Sequence, residues 1–319
     1  MIKSVTVINY RGEECKIVLS ESNPAHGLLI TNITGIGPGD ATINTSDYAT
    51  NDGSEFNSAR LSARSMQITL LLSDDDDTMT IEKARHNAYK YFPSKKQVRL
   101  IFDIDEGPIY IDGRVEKNDP TVFSKNESLT IDIKCPDPFF YKYLPGTKNS
   151  EETFELMSVN PALEFVYDNN EDAGVLETPY EVSSYSSEMA TLYAIINYDG
   201  DVENGFDGII NIIGELQGDI VIRRYNTDEY FKIDKSKLEA LVGDTIDAGD
   251  VIHFSTNEKH CYCKIIKNGI ETNCLNAVDL EGSTWLLLYP GENIFTYTIT
   301  NGLDNTQLTI VYKTKFQGV

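Results

Sequence analysis

The sequence predicts a mainly β protein: an N-terminal β-sandwich-like domain carrying one helix, followed by a C-terminal β-sandwich. Three observations carry this. Short apolar runs with period-2 alternation recur from Ser4 to Thr314, the pattern of half-buried strands. Turn dipeptides such as Asn268-Gly269 and Pro290-Gly291 punctuate them at roughly the spacing of a sandwich. Only one long stretch, Thr80 to about Tyr91, repeats apolar residues at helical spacing, through Ile81, Ala84, Ala88 and Tyr91.

The elements follow in order. Ser4 to Ile8, Leu28 to Ile36 and Ser65 to Leu72 read as strands, the second ending at the turn-rich Gly35-Ile-Gly-Pro-Gly39. Thr78 or Thr80 supplies an N-cap for the helix, about residues 80–92, and Pro93 ends it. Leu100 to Ile104 and Ile109 to Val115 form a hairpin across Asp105 to Pro108, and Leu129 to Lys134 closes the set. Pro145-Gly146 and the polar residues after it mark a linker, which gives two domains, 1–145 and 146–319. In the second, strands are expected at Leu192–Asn197, Gly208–Ile213, Ile220–Tyr225, Tyr230–Ile233, Val251–Ser255, Cys261–Lys267, Trp285–Tyr289, Ile294–Thr300 and Gln307–Thr314. Lys235 to Val242 reads as one short helix. The stretch from Ser283 to Asn293, with Trp285 heading an apolar run and Pro290-Gly291 turning it into the next strand, is the clearest β-turn-β signal.

Composition narrows the function classes. A formal net charge of -23 argues against nucleic-acid binding, because phosphates are held by Lys and Arg, and against an anionic membrane surface. The acidity reads as solubility or, more sharply, as a wall past which DNA slides. The first residues lack a sustained apolar stretch, so no secretory signal is expected. No apolar run approaches the ~18 residues that span a bilayer. Five cysteines show no disulfide-framework spacing.

Each candidate site has a plainer reading. Asp74 to Asp77 lacks the alternate spacing and glycine of a calcium loop and reads as a solvated loop leading into the helix, where negative charge is favoured. His253, His260, Cys261, Cys263 and Cys274 suggest zinc, but strand geometry separates them. With Asn268-Gly269 as a two-residue turn, Cys263 sits opposite Cys274. A four-residue turn at Thr256–Lys259 would set Phe254 opposite Cys261. The cysteines then share an apolar face, and the histidines the polar one. A Cys263–Cys274 disulfide fits this register but not a reducing cytoplasm. No nucleophile elbow or phosphate loop is present, and none of the 50 acids is singled out as a glycosidase pair. No catalytic, cofactor or metal residue is therefore assigned, and an enzyme is not expected. A sugar site would need His, Arg, Asn and Trp to converge, whereas Trp285 lies in a run that reads as core.

Four motifs occur in a telling order: Cys135-Pro-Asp-Pro-Phe-Phe-Tyr141, Asn197-Tyr-Asp-Gly-Asp-Val-Glu-Asn-Gly-Phe206, Ala248-Gly-Asp-Val-Ile-His253 with Asn268-Gly269, and Trp285 to Asn293. In this order they resemble the distal tail proteins of long-tailed bacteriophages. The resemblance implies a structural ring, usually a hexamer, at the tail tip in the virion, assembled in the bacterial cytoplasm. It implies a ring-forming N-terminal domain and a galectin-like C-terminal sandwich. The implied partners are other copies of the chain, the tail tube protein, a tail-associated hub or lysin, and receptor-binding proteins, with no sequence-specific nucleic acid and no membrane insertion. On this reading the polar excursion from Asn44 to Arg64 is an arm or inter-subunit loop, and the acidic charge suits a DNA channel. Ser150 to Glu188 carries length beyond the shortest members. The competing reading is a carbohydrate-binding module or host-receptor adhesin without ring assembly; a glycoside hydrolase ranks third.

Overall fold

The computed structural model describes residues 2–18, 25–74, 79–121, 127–157, 191–300 and 302–319. Asp75 to Asp77 and most of the stretch from Ser150 to Glu188 lie outside these, and with them both expectations for those segments. The fold is mainly β, as predicted, and divides into two units. The first comprises Met1–Ser150 and Thr314–Val319, the second Glu151–Lys313. The second unit is thus an insertion in the chain of the first.

The first unit begins with β1 (Ser4–Asn9), β2 (Glu14–Val18), β3 (Leu28–Thr34), the hairpin strands β4 (Ala41–Asp47) and β5 (Ser54–Leu61), and β6 (Arg64–Leu72). Helix α1 (Ile81–Tyr91) follows, then β7 (Gln97–Ile104), β8 (Gly107–Thr121), β9 (Ser128–Cys135) and β10 (Phe140–Lys142). Seven strands pair in the order β2-β1-β7-β8-β9-β6-β3, every neighbouring pair antiparallel. Inward residues from every one of these strands join a single core, including Val5, Ile17, Leu28, Ile68, Leu100, Ile111 and Ile131. A flat sheet cannot bring both its ends to one cluster; this sheet curls until β2 and β3 lie side by side. The long β8 pairs with β7 along its first half and β9 along its second, with a bulge between Val115 and Lys117 at the changeover.

Helix α1 lies on this core through Ala84, Ala88 and Tyr91. The Thr80 hydroxyl caps it, accepting from the Lys83 N–H at 3.2 Å, so of the two candidate caps Thr80 is the one used. The predicted helix is therefore correct in place and face. Strand β2 went unread because Glu13 and Glu14 obscure a short alternation in which only Cys15 and Ile17 turn inward.

The second unit contains β11 (Glu152–Met157), β12 (Thr191–Tyr198), β13 (Asp207–Ile212), β14 (Ile220–Arg224), β15 (Tyr230–Ile233), α2 (Lys235–Val242), β16 (Val251–Ser255), β17 (Tyr262–Lys267), β18 (Ile270–Asn273), β19 (Gly291–Ile299) and β20 (Thr306–Tyr312). They form a six-stranded sheet, β11-β20-β13-β16-β17-β18, and a four-stranded sheet, β12-β19-β14-β15. Both sheets contribute to one core, from Ile210, Phe254, Cys263, Leu308 and Ile310 on one side to Ala194, Ile222, Phe231, Phe295 and Tyr297 on the other. This is a two-layer sandwich. Phe231 and Phe254 stack across it at 4.8 Å between ring centroids.

Two expectations need correction. Trp285 to Tyr289 is not a ladder strand. It runs extended with Leu286 and Leu288 buried, but pairs only through the single bridge Asn204↔Leu288. Its polar groups are held singly: the Thr284 N–H by the Tyr230 carbonyl at 2.7 Å, and the Leu287 carbonyl by Arg224. Alternation alone cannot distinguish such a segment from a paired strand. The second correction is the β16–β17 register. Phe254 pairs with Cys263, not Cys261, because the connecting loop is longer by two residues. A shift of two preserves faces, so Cys263 and Cys274 are buried as expected, whereas Cys261 falls in the loop, half-buried, with its thiol on the Asn257 carbonyl.

The sandwich core sets the stability of the second unit. Phe254→Ala removes a ring that touches Phe206 and Phe231 and is expected to cost about 3–5 kcal/mol in urea unfolding, while Ile270→Ala on the exposed edge strand changes stability by less than ~0.5 kcal/mol.

Candidate assembly interface

Strands β4 and β5 pair antiparallel from Ala41↔Leu61 to Asp47↔Ser54, and every residue of both strands is exposed. Thr42, Ile43, Thr45 and Phe56 favour extended backbone. At the tip the Tyr48 N–H meets the Gly53 carbonyl at 3.4 Å, and Gly53 takes a positive φ of 99°. The segment expected to be an arm or inter-subunit loop is built as a regular hairpin. The sequence hid its strands because Asn57 is an extra residue on β5, opposite the step from Asn44 to Thr45, and this bulge reverses the period-2 pattern midway.

Register divides the hairpin into two faces. Ala41, Ile43, Ala59 and Leu61 share one with Phe56, while Thr42, Asn44, Ser58 and Arg60 share the other. The polar face is tied across the strands, Asn44 Nδ2 donating to Ser58 Oγ at 3.0 Å. The apolar face is bare: Ile43 is 62% exposed and Phe56 64%. An isolated two-stranded hairpin is marginal in water, and an uncovered apolar strip with free strand edges is a pairing surface.

The root of the hairpin is rigid. Arg64, the first residue of β6, is 5% exposed and sits over the Phe140 ring at 4.7 Å. Its Nε donates to the Pro138 carbonyl at 2.7 Å, Nη1 to the carbonyls of Gly35 (2.7 Å) and Gly37, and Nη2 to the Gln317 carbonyl at 2.5 Å. Burial pulls the guanidinium pKa below its ordinary value, partly offset by Cys135 and Asp40. One cation therefore joins the turn leading into the hairpin, the strand leaving it, the loop between β9 and β10, and the C-terminal segment. Gly35 is required there: its φ is +79°, and a Cβ would stand 2.3 Å from the Ser65 carbonyl oxygen.

Elsewhere the residues weighed for metal and sugar sites have other surroundings. His253 faces Lys264 across the ladder, and burial, then Lys264, lowers its pKa. Among the described residues no three His, Cys, Asp or Glu side chains are grouped to hold a metal. Asp244, Asp247 and Asp250 gather around the ammonium of Lys267, which already occupies that acidic corner. Trp285 packs on the second core, 5.5 Å from the Phe231 ring. The net charge is also unevenly placed: residues 1–150 and 314–319 carry 18 Lys and Arg against 21 Asp and Glu, net -3, whereas 151–313 carry 9 against 29, net -20.

Residues 15–134, which include the hairpin and Arg64, match the family described as phage tail protein RIFT-related domain. The matched stretch lies within the first unit, so that unit is similar to this family of phage tail domains. Among solved structures, the chain resembles the Dit protein of phage SPP1, described as a paradigm of the hub adsorption apparatus in phages infecting Gram-positive bacteria. That match has a TM-score of 0.58 at 13% identity and covers 98% of this chain and 99% of that one. A weaker likeness, TM-score 0.42 at 14% identity, is to a chain of the phage P2 baseplate in its activated conformation with calcium, covering 98% of each. No curated protein matches in sequence. The resemblance to distal tail proteins read from the motifs is borne out by the family match and by the shared fold.

The motifs that carry the resemblance have local physical reasons. Cys135 to Tyr141 builds the Arg64 pocket: Pro138 supplies a carbonyl, Phe140 the aromatic floor, and Asp137 accepts from the Tyr141 hydroxyl at 3.0 Å. In Tyr289-Pro-Gly-Glu-Asn293, the buried Asn293 side chain closes the turn, accepting from the Tyr289 N–H at 2.9 Å and donating to the Tyr289 and Gly291 carbonyls. Arg64 itself carried no sequence signal, since a buried cation paired with carbonyls looks like any surface arginine.

Arg64→Met removes the donor from four carbonyls, of Gly35, Gly37, Gln317 and the buried Pro138, and leaves an unfilled pocket over Phe140. It is expected to destabilise the first unit by about 3 kcal/mol or more and to open the 35–40 segment to limited proteolysis. Arg64→Lys, which cannot span the same fork, is expected to recover less than half of that loss in denaturant unfolding.

Proposed function

We propose that this protein is a structural tail-tip component whose first unit closes into a ring with copies of itself, a hexamer on the distal tail pattern. The ring joins the tail tube to hub and receptor-binding proteins and lets DNA pass. The observation that carries this reading is the bare apolar face of β4–β5 on a root fixed by Arg64, within the segment that matches the phage tail family. A neighbouring copy is the occupant that supplies both a strand edge and apolar cover. The second unit, galectin-like on this reading, offers the surface for baseplate or receptor-binding partners. No catalytic role is assigned. The acidity does not argue for the channel, because the ring unit is nearly neutral and the sandwich carries the charge.

A second reading rests on Tyr193 and Tyr225, both exposed, with rings 5.8 Å apart on the outer face of the four-stranded sheet. Such a platform suits a sugar ring and would make the sandwich a carbohydrate-binding module.

The ring reading predicts assemblies of several copies by native mass spectrometry and negative-stain microscopy. Ile43→Asp with Phe56→Asp is expected to shift these to monomer without changing the melting temperature, because neither residue touches the core. Unchanged assembly of the double variant contradicts the hairpin's role. A monomeric wild type that binds glycan arrays through Tyr193 and Tyr225 favours the second reading.

A further inference from the structure

The sulfur atoms of Cys263 and Cys274 lie 3.3 Å apart, and both side chains are fully buried in the second core. This is closer than the ~3.5–4.0 Å at which buried carbon atoms pack. The two residues face each other across the β17–β18 hairpin: the Cys274 N–H donates to the Cys263 carbonyl at 2.9 Å, and the pairing continues through Lys264↔Asn273 to the Asn268-Gly269 turn. Directly opposed antiparallel residues hold their Cα atoms at about 4.5–5.5 Å, inside the range a disulfide spans. Cys15, Cys135 and Cys261 are free thiols like these two, but the close sulfur contacts of Cys135 and Cys261 are to the Met66 sulfur at 3.9 Å and the Asn257 carbonyl at 3.3 Å.

We infer that Cys263 and Cys274 form a disulfide when the protein passes from a reducing to an oxidising medium, with a small-molecule disulfide such as glutathione disulfide as the oxidant. The thiolate of Cys274 attacks one sulfur of the oxidant, giving a mixed disulfide and releasing the first small thiol. The thiolate of Cys263 then attacks the Cys274 sulfur of the mixed disulfide, breaks its bond to the second small thiol and expels that thiol: one protein S–S bond forms, the oxidant's S–S bond is consumed, and the two cysteine protons end on the two released thiols. The hydrogen bond to Cys274, and then burial, hold the Cys263 thiol above its ordinary pKa, so the closed state reacts slowly. Access comes from fraying of β18, the edge strand of its sheet, whose Ile270 is 69% exposed. The bond ties this edge to β17 and removes a frayed strand from the sandwich rim. The inference does not depend on the tail-tip reading.

The test uses the full-length protein in a Cys261→Ser background, incubated to equilibrium with glutathione disulfide or with dithiothreitol, then alkylated under denaturing conditions and mapped by mass spectrometry. The expected result is a linked peptide pair carrying Cys263 and Cys274, alkylation retained at Cys15 and Cys135, and a higher melting temperature for the oxidised sample. In the further variant Cys274→Ser, the oxidised and reduced samples are expected to melt together. Full alkylation of Cys263 and Cys274 after oxidation, repeated in mild urea that opens the hairpin, overturns the inference. A glutathione adduct that persists on either residue, or a link to another cysteine, overturns it as well.

Discussion

The first unit depends on a single buried guanidinium. Arg64 lies under the surface with no carboxylate among its hydrogen-bond acceptors, and its charge is met by carbonyl dipoles of Gly35, Gly37, Pro138 and Gln317. Those four residues come from three separated parts of the chain, including its last six residues, which return after the whole second unit has been made. Burying a cation is costly unless its donors are used, and here four donor–acceptor contacts and the Phe140 ring offset that cost. The terminal pair Lys315–Phe316 adds a strand to β10 beside the same pocket. These segments are thereby tied together at the point from which the β4–β5 hairpin departs.

That placement explains how an exposed hairpin remains ordered. Its own strands bury nothing, and the cross-strand ladder of Asn, Ser and Thr side chains gives little net stability against water. Order is imposed at the root, by the Ser62 N–H on the Asp40 carbonyl and by Arg64 just beyond. The apolar face of Ile43 and Phe56 stays exposed. Charge is unevenly partitioned: the first unit is nearly neutral, whereas the second carries a net charge of -20, which favours solvent exposure over self-association.

Much of this was legible in the sequence, and the failures have physical causes. Strands whose alternation pairs directly with burial, such as Ser4–Asn9, Ser128–Cys135 and Tyr230–Ile233, were read within a residue or two, as were α1, with Thr80 among its candidate caps, and α2. The Asn268-Gly269 turn fixed the pairing of Cys263 with Cys274 because both turn residues adopt positive φ. Trp285–Tyr289 misled because burial alternates there without a partner strand. The hairpin strands were missed because the Asn57 bulge breaks their period, and the Arg64 pocket because its acceptors are main-chain atoms, which no residue type announces. The family resemblance succeeded where periodicity did not, since its motifs Cys135–Tyr141 and Tyr289–Asn293 are the places where side chains close main-chain turns.

The central claim is that the apolar face of β4–β5 becomes covered when copies of the chain assemble. Backbone hydrogen exchange, compared between the dispersed protein and the assembled tail tip, tests it most directly. The account predicts fast exchange across residues 41–61 in the dispersed protein and strong protection of the same residues on assembly, with the Arg64 strand protected in both states. Equal, fast exchange of residues 41–61 in both states would contradict it.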